Sequence, residues 1–175
     1  MPRMSPAQYM EWIVLPTLAE LLDNPGDQRR AYLACITAAH AIDYLARSGR
    51  GSQSEIRTKL RERGGYAAAC LAIVEGICNG TKHAGPGRDA AFKFAPGEER
   101  YVPAFAWDDP DAGWGSRWGS AGLVADLDHG SYFIDDCVRE TIRSLVEAYP
   151  LSFEGVDLAS VRRDQDRFSF LDGVR

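Results

Sequence analysis

The chain has 175 residues, of which 45% are hydrophobic and 26% charged, which is typical of one globular domain and excludes a wholly disordered chain. Its net charge of −5 argues against a protein that coats nucleic acid over its whole surface. Its apolar stretches are far shorter than the ~18 residues of a membrane span, and the N-terminus lacks the apolar core of a signal peptide. We therefore expect a cytoplasmic protein with no membrane contact, whose four cysteines are buried thiols.

Four helices are predicted in the first half of the chain. Ser5 followed by Pro6 is typical of a helix start, because serine caps the first turn and proline fits its first position. Pro16 interrupts the apolar stripe of this helix and is expected to kink it. Asp27 is predicted to cap the second helix, and Gly80 is expected to weaken the end of the fourth. The predicted helices span about 5–22, 28–47, 54–63 and 66–81.

A β-rich insertion is predicted to follow the four helices. Aromatic residues flank the turn-forming Pro96-Gly97 and predict a hairpin over about 92–105. A second hairpin is predicted around Asp128-His129-Gly130, with His129 in its turn. Asp135 is then expected to cap the closing helix.

The sequence therefore predicts a mainly α fold in a single domain, residues 1–175. The economical architecture is an antiparallel bundle of about five helices with a small antiparallel β-hairpin insertion before the last helix. Its predicted parts are helices over 5–83, the insertion over 91–134, the closing helix over 135–149 and an irregular tail over 150–175.

Charge is unevenly distributed along the chain. Residues 47–93 hold 9 basic and 4 acidic side chains, whereas residues 94–175 hold 8 and 16. The third predicted helix carries Arg57 and Arg61, which form with Arg47 a basic strip that suits the phosphates of RNA or of a nucleotide. The alternative is a solvated helix whose charges pair with one another at i,i+4 spacing.

The end of the fourth predicted helix carries several groups capable of acid–base chemistry. Glu75, Asn79 and His83 stack on one face at helical spacing, and Lys82 lies beside them. His83 is suited to proton transfer at a phosphate ester, with Lys82 stabilising the developing charge and Asn79 positioning the phosphate. Glu75 is placed to orient the imidazole. The alternative is a helix cap, in which Lys82 and His83 bond the last carbonyl groups.

His40 and Cys78 are further candidate ligand-binding residues. If the second and fourth helices are antiparallel neighbours, His40 approaches His83. The two histidines, Cys78 and a carboxylate from Asp43 or Glu75 would then form a set of metal ligands. Because no short-spaced set supplies three ligands from one helix, we predict neither a metal nor a cofactor. A core histidine bonded to Asp43 or Tyr44 is the alternative.

Three tryptophans, Trp107, Trp114 and Trp118, lie in a loop of the insertion that is rich in glycine and aspartate. They are either a stacking platform for bases or anchors that fix the insertion to the bundle. Their acidic neighbours repel a nucleic-acid backbone, which favours the anchors.

The segment Cys78-Asn79-Gly80-Thr81-Lys82-His83 and the helical layout resemble bacterial proteins of the HEPN superfamily. Ribonucleases of that family carry an Arg, a polar residue that is often Asn, and a His about four to six positions after the Arg. Asn79 and His83 fit the polar and histidine positions, whereas Cys78 stands where the family's phosphate-binding Arg is expected. The resemblance covers residues 5–83 and 134–149 in outline. It implies a homodimer with paired His-bearing helix ends, and a degraded or altered nuclease.

These observations favour a HEPN-like binding module with a degenerate site, related to RNA or nucleotides or associated with stress, defence or toxin–antitoxin systems. Cys78 in the arginine position favours this non-catalytic function. The alternative is a metal-independent ribonuclease that uses His83 as general acid and base. A protein partner that contacts the acidic insertion and tail is a further hypothesis.

Overall fold

The computed structural model describes residues 4–83, 93–103, 121–128 and 130–159. It confirms the mainly α fold, a helical bundle with a small antiparallel sheet. The helices are α1 Pro6–Tyr9, α2 Leu15–Asp23, α3 Gln28–Arg47, α4 Gln53–Arg61, α5 Gly65–His83 and α6 Ile134–Ala148, and the strands are β1 Arg100–Val102, β2 Gly122–Leu127 and β3 Gly130–Phe133. Within these described residues, no helix has the length and apolar character needed to cross a membrane.

The first predicted helix is interrupted. Ser5 caps α1 as predicted, because its hydroxyl oxygen accepts a hydrogen bond from the Gln8 amide at 3.2 Å and the Gln8 side chain accepts one from the Ser5 amide at 3.0 Å. A π turn, Met10–Val14, joins α1 to α2 and leaves Trp12 exposed. Pro16 lies just after this turn and has no N–H for the helical ladder. The interruption expected from proline thus takes the form of a wider turn.

Helix α5 lies at the centre of the bundle. It packs against α3 and α6, and α4 also contacts it. Most of its residues from Ala69 to Gly80 are buried. α3 contributes an alanine-rich buried face, which permits close helix packing. All four cysteines are buried free thiols, which confirms that prediction.

Gly80 lies within the last turns of α5, which continues to His83, two residues beyond the predicted end. The glycine lies where the chain at Phe94 crosses the helix. A Cβ at position 80 would collide with the Phe94 carbonyl oxygen and would lie 3.0 Å from its ring. That ring is buried and meets Tyr32 edge-on, with ring centroids 5.7 Å apart. Gly80 is therefore required for packing and does not terminate the helix.

The three strands form one antiparallel sheet in the order β1-β2-β3. The predicted second hairpin is confirmed, with Ala125 of β2 opposite Tyr132 of β3. The predicted first hairpin is wrong. Strand β1 pairs with β2, which places Tyr101 opposite Leu123, and the described residues 93–99 contain no strand.

Contacts with α3 explain why the first hairpin is absent. The Tyr32 hydroxyl donates a hydrogen bond to the Glu99 carboxylate at 2.7 Å and accepts one from the Gly97 amide at 2.9 Å. With Phe94 buried as well, this segment is bound to the helices and has no partner strand. Outside the described residues lie Phe92, Trp107, Trp114, Trp118 and His129, whose predicted roles stay predictions.

The closing helix α6 begins slightly earlier than predicted. Phe133 holds the cap position that was expected for Asp135, and Asp135 lies buried within the first turn. The partial positive charge of a helix N-terminus stabilises a carboxylate in the first turn, so Asp135 is accommodated there although it is buried. After α6, a 3₁₀ turn, Pro150–Ser152, leads to Phe153, whose buried ring anchors the following residues.

Candidate functional site

The candidate site lies where α3 and α5 run side by side in opposite directions. His40 contacts Lys82, while Asp43, further along α3, acts electrostatically on Cys78, one turn earlier on α5. Helix α4 adds two arginines to the same line of residues. We call this line the basic seam. Its members are His40, Asp43 and Arg47 of α3, Arg57 and Arg61 of α4, and Glu75, Cys78 and Lys82 of α5.

The closest polar contact in the seam joins the Lys82 ammonium to the His40 ring. Lys82 Nζ lies 2.5 Å from His40 Nε2, and the lysine is exposed while the histidine is half-buried. Lysine has only donors, so Nε2 is the acceptor and the imidazole is neutral. Burial, followed by the positive charge of Lys82, holds the pKa of His40 below its usual range, and Asp43 opposes this effect.

Cys78 lies beneath this pair. Burial raises the pKa of the Cys78 thiol, although a hydrogen bond to Lys82 and the charge of that lysine act in the opposite direction. The residue is only 3% exposed. A neutral, enclosed thiol is a poor nucleophile and supplies no positive charge to a phosphate. Cys78 therefore supports the position of Lys82 and is not placed to contact a ligand directly.

Glu75 binds the two arginines of α4. Its Oε1 accepts a hydrogen bond from Arg57 Nε at 2.5 Å, and its Oε2 accepts one from Arg61 Nη2 at 2.8 Å. The carboxylate is nearly buried, with 9% of the residue exposed. It lies two helical turns, or about 12 Å along the axis, from His83. The structure thus joins Glu75 to Arg57 and Arg61, whereas we had expected it to orient the imidazole of His83.

His83 and Asn79 occupy the last turns of α5. Asn79 is half-buried, and His83 is exposed as the final residue of the helix. His83 borders a segment outside the described residues. The structure brings His40 to Lys82, one residue away from the predicted contact with His83. The catalytic roles of His83 and Asn79 stay predictions.

A stacked pair of tyrosines closes the seam on the side of α1. The rings of Tyr9 and Tyr44 lie parallel, with centroids 3.9 Å apart and an interplanar angle of 11°. The Tyr9 hydroxyl donates a hydrogen bond to the Thr37 carbonyl at 3.1 Å. Burial raises the pKa of Tyr9, and the nearby Tyr44 and Asp43 add to that effect. The stacked rings therefore form a packed wall beside the charged residues.

The metal alternative has no supporting geometry among residues 4–83, 93–103, 121–128 and 130–159. Within these ranges, no group of three or more His, Cys, Asp or Glu side chains is arranged to hold a metal ion. The seam offers one imidazole, whose Nε2 already contacts the Lys82 ammonium, and that positive charge repels a metal cation. What it offers instead is a set of hydrogen-bond donors with positive charge.

Sequence reasoning identified the members of the seam but missed its central pair. Lys82 and His40 are 42 residues apart, and the register of α3 against α5 decides which residue His40 meets. The signal that was present is the opposite direction of the two helices, which places His40 near the end of α5.

Comparison of the chain with protein-family models, with curated proteins and with solved structures finds no match in any of the three.

Proposed function

We propose that the chain binds RNA or a nucleotide through phosphate groups at the basic seam and does not cleave it. The observation that carries this proposal is the balance of charge: four basic side chains meet only two carboxylates. The cations are Lys82, Arg47, Arg57 and Arg61, and the carboxylates are Asp43 and Glu75. A local excess of positive charge in an otherwise acidic protein attracts a phosphate-bearing ligand to one place.

The arginines of α4 have the geometry for phosphate binding. A guanidinium group carries five N–H donors. Within the described residues, Arg57 uses two nitrogens, one for Glu75 and one for Gln53 at 3.0 Å, and Arg61 uses one for Glu75. Glu75 therefore fixes the direction of both side chains while N–H groups remain to donate to a phosphate. Arginine held in this way is the preferred residue for bidentate phosphate contacts.

Two observations support binding without cleavage. The position at which the resembling ribonucleases carry a phosphate-binding arginine holds Cys78, a buried neutral thiol. The carboxylate that was predicted to assist His83 is held by arginines instead. Both features deprive His83 of partners that general acid–base catalysis requires.

The proposal includes the HEPN-like assignment and the homodimer that this resemblance implies. Lys82 and His83 are exposed at the C-terminal end of α5, which is the arrangement that a shared site between two copies needs. Light scattering coupled to size-exclusion chromatography tests this part directly. A mass near twice 19.3 kDa supports the dimer, and a mass near 19.3 kDa overturns it.

The test of the proposed function is fluorescence anisotropy with a labelled single-stranded RNA over a series of salt concentrations. Each of Lys82→Gln and Arg61→Gln should weaken binding and reduce the slope of log Kd against log salt by about one. Arg29→Gln is the matched control, because Arg29 is an exposed arginine at the opposite end of α3. Absence of binding at low salt, or an equal loss in the control, overturns the proposal.

The same samples are resolved on a denaturing gel to test for cleavage. Intact RNA is expected after incubation with the wild-type protein. If the wild type cleaves the RNA and His83→Ala does not, with the fold unchanged by circular dichroism, the protein is a ribonuclease and the proposal of a non-cleaving binding module is wrong.

A further inference from the structure

The contact between Lys82 and His40 has a specific consequence for the phosphate that binds there. In the structure, His40 Nε2 presents a lone pair to Lys82 Nζ at 2.5 Å. Both groups lie at the surface of the seam, since Lys82 is exposed and His40 is half-buried. A ligand can therefore reach them without any displacement of α3 or α5.

We infer that this pair binds a phosphate monoester, which is the terminal phosphate of a nucleotide or of an RNA end. Binding of the monoester is accompanied by uptake of one proton on His40 Nε2. This inference rests on the proposed function and narrows it. It distinguishes a terminal phosphate from the internal phosphodiesters of an RNA chain.

The first argument is the charge around His40. On its own helix, the imidazole has Asp43 and Arg47 as charged neighbours, and on α5 it has Lys82. Cys78 and the stacked rings of Tyr9 and Tyr44 are packed beside these groups. Glu75 lies further along the seam, where it pairs with Arg57 and Arg61, and His83 is exposed at the end of α5. With the imidazole neutral, the three charged groups that act on it, Lys82, Arg47 and Asp43, sum to one positive unit. A phosphodiester, with one negative charge, balances it. A monoester dianion leaves one negative charge over, which a proton on the imidazole neutralises.

The second argument is the matching of donors and acceptors. A phosphate dianion offers only acceptors, and the neutral Nε2 is also an acceptor, so the two repel each other. Protonation converts Nε2 into a donor. Lys82 is then released from Nε2 and donates to the same phosphate, so that the oxygens receive one charged hydrogen bond from each side chain. The proton comes from the solvent, and no bond of the ligand is broken.

The test is isothermal titration calorimetry near neutral pH in two phosphate-free buffers that differ in ionisation enthalpy. The ligands are adenosine 5′-monophosphate and adenosine 3′,5′-cyclic monophosphate, which share base and sugar and differ in the monoester. The monoester should bind about tenfold more tightly, the effect of one charge-assisted hydrogen bond, and should show net proton uptake that the cyclic diester lacks.

His40→Gln keeps a hydrogen-bonding side chain and removes the titration. It should abolish the proton uptake and reduce the preference for the monoester to about twofold or less, the preference that the charge of Lys82 alone provides. Arg29→Gln, on the far end of α3, should leave both unchanged. Circular dichroism checks the fold of each variant. In a ligand-free sample of Lys82→Met, nuclear magnetic resonance should show that the pKa of His40 rises, because a neighbouring cation is gone.

The source of the monoester is settled by two oligonucleotides of identical sequence, one with a 5′-phosphate and one with a 5′-hydroxyl group. Preference for the phosphorylated RNA identifies a chain end, and tight binding of the free nucleotide alone identifies a nucleotide site. If RNA binds at the seam but the monoester has no preference and no proton uptake, this inference is wrong and the proposed function stands. If neither RNA nor nucleotide binds, both are wrong.

Discussion

The buried cysteines on the two sides of α5 lie in different environments. On the side of α6, Cys70 hydrogen-bonds to Cys137, and burial raises the pKa of the Cys137 thiol. On the side of α3 and α4, Cys78 is also buried, but Lys82 contacts it and Glu75 lies one turn away with two arginines. Glu75 and Lys82 thus lie where a second helix supplies either a group of opposite charge or a hydrogen-bond acceptor.

This difference separates stability from ligand chemistry along one helix. The α6 side buries apolar and thiol groups, which stabilise the fold through packing. The seam side holds partly exposed charges, which contribute less to stability and supply the donors for an anion. Substitutions on one side should therefore alter the free energy of unfolding, and substitutions on the other should alter affinity.

The largest expected effect is on the packed side of α5. Ile73 is fully buried, and Ile73→Ala should lower the free energy of unfolding by about 3 kcal/mol, because it removes apolar contacts and leaves a cavity. Urea unfolding followed by circular dichroism measures the loss. The affinity of the folded protein for RNA should stay the same. A change in affinity in proportion to the change in stability would show that the two sides of the helix are coupled.

The next effect concerns Gly80. Helix propensity alone predicts that Gly80→Ala stabilises α5 by up to about 1 kcal/mol. The crossing of Phe94 predicts the opposite sign, a loss of about 2 kcal/mol, because the new methyl group collides with backbone that has to move. Thermal and urea unfolding decide the sign. A stabilised variant would mean that Phe94 does not cross the helix at this distance.

A smaller loss of stability should accompany a gain of affinity in Glu75→Gln. The amide removes the negative charge shared by Arg57 and Arg61, which should cost about 1–2 kcal/mol of stability. The seam then carries one more net positive charge, so RNA should bind more tightly with a steeper salt dependence. Glu62→Gln, an exposed carboxylate at the end of α4, is the matched control. Equal affinity in the two variants would argue against phosphate binding here.

The smallest effect is a dependence of stability on pH. The folded protein holds the pKa of His40 below its ordinary value of 6.5, so the unfolded chain binds this proton more readily. The contribution is fully present above that value and is lost as the pH falls through the folded pKa. Between about pH 7.5 and about pH 5.5, the wild type should lose more stability than His40→Gln, as measured by urea midpoints. Parallel pH profiles would contradict the neutral imidazole.

Local signals predicted the helices well. Asp27 caps α3, and its side chain accepts a hydrogen bond from the Arg30 amide at 2.9 Å, as expected from an acidic residue before an apolar stripe. The first hairpin failed because a tertiary contact decided it. The pattern around Pro96-Gly97 is typical of a turn, but it carries no information that Phe94 fits against a glycine of α5.

The sequence singled out the residues of the basic seam but not the contacts between them. Helical spacing placed Glu75 and Lys82 on the same side of α5, because spacing along one helix is a local property. The partners of these side chains come from α3 and α4, where the register of packed helices decides which groups meet. That register depends on the whole core. The Glu75 contacts with Arg57 and Arg61 were thus beyond sequence reasoning, although all three residues had been singled out.

The π turn Met10–Val14 has a consequence for how this protein tolerates changes of length. A π turn accommodates one residue more than regular α-helix and does not rotate the segments on either side of it. Deletion of one residue there would close the turn into ordinary helix, while Tyr9 and Leu18 keep their present orientation toward the core. Descendants of this sequence that differ by one residue at this point would therefore conserve the same buried face and the same site.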